Sequence, residues 1–171
     1  EEGAMQGSPL RPHPTVVVGV DGSLGSLVAL RWAAQEAAGL DAELLAVHAY
    51  HPATDARSCE WPVCTPDHPA EQAQARIAGV VRQALAGEPA PPAIRILVRA
   101  GEAGPILAEA AHHARMLVVG SRGHGRLVGA LLGSVGAYCQ RHARCPVVVI
   151  PTPPEAQAER MYPLPHVFLG A

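Results

Sequence analysis

The most constraining feature of this 171-residue chain is a short apolar run that leads directly into a glycine-rich loop. Met116–Val119 has the length and composition of a buried strand. The loop that follows has the spacing G-x2-G-x9-G-S from Gly120 to Ser134, and a helical pattern begins after it. Glycines let backbone N–H groups approach an anion, and a helix N-terminus adds unpaired donors and a favourable dipole. The combination predicts a phosphate-binding site.

Strands and helices alternate along the chain. The predicted strands are residues 15–20, 43–50, 93–98, 115–119 and 146–150, and the predicted helices are residues 24–38, 70–86, 104–114 and 133–143. This alternation predicts an α/β fold with an open five-stranded parallel sheet, Rossmann-like, and helices on both faces. Ligands of such sheets bind beyond the carboxyl ends of the strands, where the strand order reverses. An order 3-2-1-4-5 places that point between strands one and four.

Composition indicates one domain with extensions. Residues 15–151 form the predicted domain, residues 1–14 a flexible N-terminal arm, residues 51–68 a long loop and residues 152–171 a proline-rich C-terminal tail. The net charge of -2 gives no general case for binding nucleic acid or a membrane surface. No apolar run approaches the roughly 18–20 residues that span a bilayer. We therefore expect a cytoplasmic protein with reduced cysteines and with no nucleic-acid or membrane partner.

The basic residues limit which kinds of phosphate site are possible. All 13 are arginine, so the chain contains no lysine. A Walker A loop and a protein kinase both need a lysine on the phosphates, so both are excluded. The loop from Gly19 to Gly25 also lacks the G-x-G-x-x-G spacing of a Rossmann dinucleotide site. It presents Asp21 instead, and a carboxylate suits ribose hydroxyls or a metal ion. We therefore expect the ribose at Asp21 and the phosphates at the second loop.

Three segments resemble the universal stress protein family, in its ATP-binding branch. Val17–Ser23 is similar to the family's first strand and acidic residue, Leu44–Ala49 to its second strand, and Val118–Val149 to its nucleotide loop and last strand. The resemblance implies that the ligand is ATP, alone or with Mg²⁺ or Mn²⁺. The contacts it implies are the ribose at Asp21, the adenine edge at the main chain of Ala49, the adenine pocket wall at Val20, and the phosphates at Gly120, Gly123, Gly133, Ser134 and Val135.

Several of these residues have a second interpretation. Asp21 and Ser134 are both good N-cap residues and could cap the helices that follow them. Arg122 is predicted to contact a phosphate, although with His124 and Arg126 it could form a solvated loop. His48 lies within a predicted strand, and we interpret it as a hydrogen-bonded core histidine rather than a catalytic base.

No catalytic base is evident beside the predicted phosphate site, and phosphoryl transfer needs one or a residue that orients water. We therefore expect an ATP-binding regulatory protein of the stress response that signals through nucleotide occupancy, with slow or no hydrolysis. One alternative is a nucleotidyl-transfer enzyme on a related fold, but its S-G-G-x-D-S loop is absent after strand one. Another is a nucleotide-free dimerisation module, and the glycine loop counts against it.

Strand five predicts a homodimer. Val147–Ile150 is uniformly apolar, lies between Pro146 and Pro151, and falls at the edge of a 3-2-1-4-5 sheet. An uncovered apolar edge must be capped, twisted away or paired. Pairing with the same strand of a second copy about a two-fold axis satisfies both edges, and the family resemblance implies the same interface. The alternative is that residues 151–171 fold back over this edge.

Overall fold

The computed structural model describes residues 14–51, 69–121, 132–152 and 154. Five strands and four helices lie within these ranges. They are β1 Thr15–Gly19, α1 Leu24–Gly39, β2 Glu43–Tyr50, α2 Pro69–Ala84, β3 Ile94–Ala100, α3 Ala103–Ala110, β4 Met116–Gly120, α4 Ser134–His142 and β5 Val147–Ile150. Most of the predicted arm, long loop and tail falls outside the described residues.

The described strands form one parallel sheet with the order β3-β2-β1-β4-β5, which confirms the predicted fold class. β1 lies in the centre, with Val18 opposite Ala46 of β2 and Val118 of β4. The side chains of Val16, Val17 and Val18 are fully buried. Because both faces of a parallel sheet are covered, its central strands are apolar throughout rather than alternating.

Two apolar layers hold the helices on the sheet. Leu30 of α1 and Ile77 of α2 pack with Val18 on one face, whereas Leu107 of α3 packs with Val17 on the other. Val17 and Val18 belong to different layers because successive side chains of a strand point to opposite faces. The helices therefore cover both faces, as the sequence predicts.

The helix predicted over residues 104–114 begins at Ala103, one residue before its predicted start, but already ends at Ala110, so that α3 runs over Ala103–Ala110. The N–H of Ala114 bonds the carbonyl of Ala111, which closes a turn. The N–H of Arg115 then bonds the carbonyl of Thr15 at 2.8 Å. The chain has to leave the helix early because β4 must enter the sheet beside β1.

Two glycines allow close packing. A Cβ atom at Gly104 would lie 2.8 Å from Cγ of Tyr138, so α3 and α4 approach each other only because that position has no side chain. A Cβ atom at Gly120 would lie 2.7 Å from the carbonyl carbon of Gly25. The end of β4 therefore abuts the first turn of α1, and the fold needs Gly120 independently of any ligand.

Replacing Gly104 by alanine should lower the free energy of unfolding by about 1–3 kcal/mol, the usual cost of overpacking. Gly79 in α2 provides the matched control, because a Cβ atom there would meet nothing within 4 Å. Gly79→Ala should raise the free energy of unfolding by about 0.5–1 kcal/mol. Chemical denaturation measures both variants, and equal effects would contradict the packing of α3 on α4.

Candidate functional site

The carboxyl ends of β1 and β4 lie side by side at the point where the strand order reverses. From β1 the chain crosses to β2 on one side, and from β4 it crosses to β5 on the other. In open α/β sheets the two diverging loops leave a crevice at this point. The described residues of the predicted site all lie along this edge of the sheet: Val20, Asp21, Ala49, Gly120, Gly133, Ser134 and Val135. Arg122 and Gly123 lie outside the described residues.

Asp21 lies half-buried in the turn between β1 and α1. Its Oδ1 atom accepts hydrogen bonds from the main-chain N–H of Ser23 at 2.9 Å and from the Ser23 hydroxyl at 2.6 Å. Gly22 adopts φ +86°, which lets the chain turn sharply between them. The N-cap of α1 is Ser23, whose Oγ accepts from the N–H of Ser26. The interpretation of Asp21 as the cap is therefore wrong, since Asp21 instead orients the capping serine.

The start of α4 presents main-chain donors at the same edge. Gly133 is the N-cap and Ser134 is the first helical residue, so the interpretation of Ser134 as the cap is wrong. Among the described residues, no side chain forms an N-cap hydrogen bond at the start of α4. The first helical bond runs from the N–H of Ala137 to the carbonyl of Gly133 at 3.0 Å. The N–H groups of Ser134, Val135 and Gly136 precede that bond, and groups in this position can bind an anion.

Ser121 fixes the two ends of the glycine loop, and the sequence analysis missed it. The residue is 7% exposed. Its N–H donates to the carbonyl of Ile150 at 2.7 Å, and its carbonyl accepts from the N–H of Gly133 at 2.9 Å. Its hydroxyl accepts from the N–H of Thr152 at 3.0 Å. A single serine therefore ties the end of β4 to the start of α4 and to the chain beyond β5.

Val20 and Ala49 lie on the other side of Asp21. The N–H of Val20 donates to the carbonyl of Val47 at 2.9 Å, and the side chain of Val20 packs in the core beneath α1 and α2. Ala49 is half-buried near the end of β2, where it lies opposite Arg99 of β3. The main chain of both residues is therefore held in place by the sheet.

His48 is a buried and hydrogen-bonded core residue, as the sequence predicts. It is 4% exposed, and its Nδ1 atom lies 2.8 Å from the carbonyl oxygen of Val20. Its Nε2 atom lies 3.2 Å from Nη2 of Arg76 on α2. Both ring nitrogens therefore have partners, which argues against a role for His48 as a catalytic base.

Cys139 and Cys145 are free thiols. Burial, with a further contribution from nearby Cys145, raises the pKa of Cys139 to about 11, so its thiol stays protonated at neutral pH. Within the described ranges, no three His, Cys, Asp or Glu residues cluster closely enough to hold a metal ion. None of the described helices is long and apolar enough to cross a membrane.

Comparison with known proteins agrees with this architecture. The sequence model of the universal stress protein family matches residues 13–151. A universal stress protein of Mycobacterium tuberculosis (strain H37Rv) is 39% identical over 145 residues, which are 81% of this chain and 46% of the relative. A universal stress protein of Mycolicibacterium smegmatis is 32% identical over 167 residues, 91% of this chain and 53% of the relative. The chain thus spans about half the length of the curated relatives it matches.

Solved structures show the same similarity. A universal stress protein in complex with cAMP is 31% identical, with a TM-score of 0.59 over 84% of this chain and 100% of that one. A universal stress protein from Archaeoglobus fulgidus in complex with dAMP is 26% identical, with a TM-score of 0.56 over 82% of this chain and 99% of that one. The family match spans all five described strands and the loops that follow β1 and β4. This chain therefore belongs to the universal stress protein family.

Proposed function

We propose that this chain binds ATP beyond the ends of β1 and β4 and acts as a regulator whose nucleotide occupancy is read by a partner. The observation that carries the proposal is the position of Asp21 and of the α4 N-terminus at one edge of the sheet, on the two loops that flank the reversal of strand order. The related structures with cAMP and dAMP support an adenine nucleotide as the ligand.

Asp21 is the proposed ribose contact. Ribose hydroxyls donate hydrogen bonds, and an ionised carboxylate is an acceptor. The two bonds from Ser23 hold the carboxylate in a fixed orientation before any ligand arrives. A site that is already ordered loses less conformational entropy on binding, and this raises its affinity.

The glycine loop and the first turn of α4 are the proposed phosphate site. The amides of Ser134 and Val135 supply donors from the described residues, and Ser121 holds the base of the loop. Gly120, Gly123 and Gly133 would let the backbone approach the phosphates, and Arg122 would add positive charge. Mg²⁺ or Mn²⁺ would be bound mainly by the phosphates, as is usual for nucleotide-bound Mg²⁺.

The described side chains at this edge support a role in regulation rather than turnover. Phosphoryl transfer needs a base or a residue that orients water near the phosphates. His48 uses both ring nitrogens on Val20 and Arg76, and Asp21 is assigned to the ribose. We therefore propose slow or no hydrolysis of the bound ATP.

Calorimetric titration should show that ATP binds more tightly than AMP or cAMP, because the glycine loop and α4 would contact the additional phosphates. Gly123→Val should abolish this binding by filling the space that the phosphates need. Gly79→Val is the control, since a Cβ atom at Gly79 in α2 would meet nothing within 4 Å. Tighter binding of AMP or cAMP would contradict ATP as the preferred ligand, and full ATP affinity in Gly123→Val would contradict the placement of the phosphates.

Asp21→Asn should weaken ATP binding by about 10- to 100-fold, because hydrogen bonds to a charged group are worth roughly 1.5–3 kcal/mol. Asparagine keeps an oxygen that can accept from Ser23, so the free energy of unfolding should change little. Ser23→Ala is the converse control. It removes the α1 N-cap, at a cost of about 1 kcal/mol in stability, and should affect ATP affinity less than Asp21→Asn does. Unchanged affinity in Asp21→Asn would overturn the ribose assignment.

We also propose a homodimer through β5, because the two edges of the sheet differ. β3 carries Arg95 and Arg99, which pair with Glu43 and Glu109, and charged side chains protect an edge from pairing. β5 has only half-buried valines and an isoleucine. The bonds from β4 to the carbonyls of Pro146 and Ile150 imply that the main-chain groups of Val147 and Val149 point outward.

Val149→Pro should therefore convert the dimer to a monomer in light scattering at micromolar concentration. Proline removes an outward N–H, and prolines in sheets are tolerated where that group does not serve the ladder. Val149→Thr retains the N–H and the branched shape, and should remain a dimer. A monomeric wild-type chain, or a dimeric Val149→Pro variant, would contradict the proposed interface.

A further inference from the structure

We propose that Arg76, a surface residue of α2, positions the Val20–Asp21 segment through the buried ring of His48 and so influences nucleotide affinity from outside the site. The inference rests on the nucleotide site proposed above. Arg76 is exposed on its helix, whereas His48 is buried in β2. The guanidinium reaches the ring, with Nη2 of Arg76 at 3.2 Å from Nε2 of His48.

The contact at each ring nitrogen of His48 indicates which nitrogen carries the proton. The carbonyl oxygen of Val20 can only accept a hydrogen bond, so Nδ1 must donate across the 2.8 Å contact. A guanidinium can only donate, so Nε2 must accept from Arg76. Both contacts therefore require the same neutral tautomer, with the proton on Nδ1. A proton on Nε2 would point at the Arg76 donor and would leave the carbonyl of Val20 without its donor.

The peptide group between Val20 and Asp21 is the element that this ring controls. Its carbonyl oxygen accepts from His48, and its N–H, which belongs to Asp21, lies 3.3 Å from the Ser26 hydroxyl oxygen. A peptide group is planar and moves as a unit. Hydrogen bonds at the two opposite edges of that plane restrain its rotation, and its rotation sets the direction in which the chain enters the Asp21 turn.

Removing the Arg76 guanidinium would remove the donor that keeps Nε2 unprotonated. The ring could then exchange its proton between the two nitrogens, and the carbonyl of Val20 would lose its donor for part of the time. Asp21 would be less well ordered before the nucleotide binds. Coupling of this kind is reciprocal, so nucleotide binding would also strengthen the contact between His48 and Arg76.

The tautomer can be read directly by NMR of the imidazole nitrogens, with the His48 signals identified by their loss in His48→Asn. The wild-type ring should have a protonated Nδ1 and an unprotonated Nε2 without nucleotide. Arg76→Met should shift the ring toward exchange between the two tautomers. Arg82→Met is the matched control, because Arg82 is exposed in the last turn of the same helix. Arg76→Lys keeps a donor and should restore most of the wild-type signal.

Titration with ATP tests the effect on the site. Arg76→Met should weaken binding by about two- to thirtyfold, the usual range for a residue that acts from outside a site. Arg82→Met should have no such effect. His48→Asn keeps an amide donor near the carbonyl of Val20 but has no counterpart of Nε2. The effect of Arg76→Met should therefore disappear in the His48→Asn background, as a double-mutant cycle would show.

The inference is overturned if Arg76→Met matches Arg82→Met in both measurements, or if wild-type His48 carries its proton on Nε2. It is also overturned if Arg76→Met weakens ATP binding equally with and without His48. A wild-type chain that does not bind ATP would overturn the proposed function and the effect of Arg76 on affinity. The NMR measurement in the nucleotide-free protein would still report separately on the contact of Arg76 with His48.

Discussion

β1 is paired on both edges and covered on both faces, and the arrangement of the site depends on that enclosure. Val16, Val17 and Val18 are fully buried, so a polar side chain in their place would lose its hydration without compensation. Polar side chains that could bind a ligand can therefore occur along this part of the chain only where β1 leaves the core. That point falls at Val20 and Asp21, and the parallel neighbour β4 ends beside it. The polar groups therefore collect at the carboxyl edge because the buried length of β1 cannot hold them.

Hydrogen bonds to main-chain groups order the described parts of the loops at this edge. Asp21 bonds the N–H of Ser23, Ser121 bonds the main chain at three distant points, and His48 bonds the carbonyl of Val20. Because one partner of each bond is a main-chain group, each bond restrains the backbone directly. The site can thus keep its backbone geometry while most surface side chains of the helices vary, with Arg76 of α2 as the proposed exception.

The fold could be predicted from the sequence because its signals are local. Short apolar strands alternate with helices, and that alternation is sufficient to predict a parallel sheet with both faces covered. Helix ends were less predictable, since neighbouring residues compete for the cap. Ser23 caps α1 rather than Asp21, and Gly133 caps α4 rather than Ser134. No glycine or proline marks the end of α3 at Ala110 in the sequence. The helix ends there because β4 has to pair with β1, and this contact is distant in the sequence.

The site was predictable only in part. The glycine spacing and the carboxylate after β1 identify the carboxyl edge of the sheet and its two loops. The structure places the described residues of the predicted site together at that edge. The roles of Ser121 and Arg76 could not be predicted, because each depends on partners far away in the sequence. The ligand contacts assigned to Arg122 and Gly123 remain predictions from the sequence.

The hydrogen bond from Thr152 limits where the chain can be cut or fused after β5 without disturbing the glycine loop. The N–H of Thr152 holds the Ser121 hydroxyl, and the N–H of Ser121 holds the carbonyl of Ile150. An affinity tag or fluorescent fusion joined directly after Ile150 would replace Thr152, and a truncation there would remove it. Either change affects a residue that supports the glycine loop. A junction placed beyond Thr152 keeps both bonds, so a tagged protein with that boundary is the better reagent for measuring ligand binding.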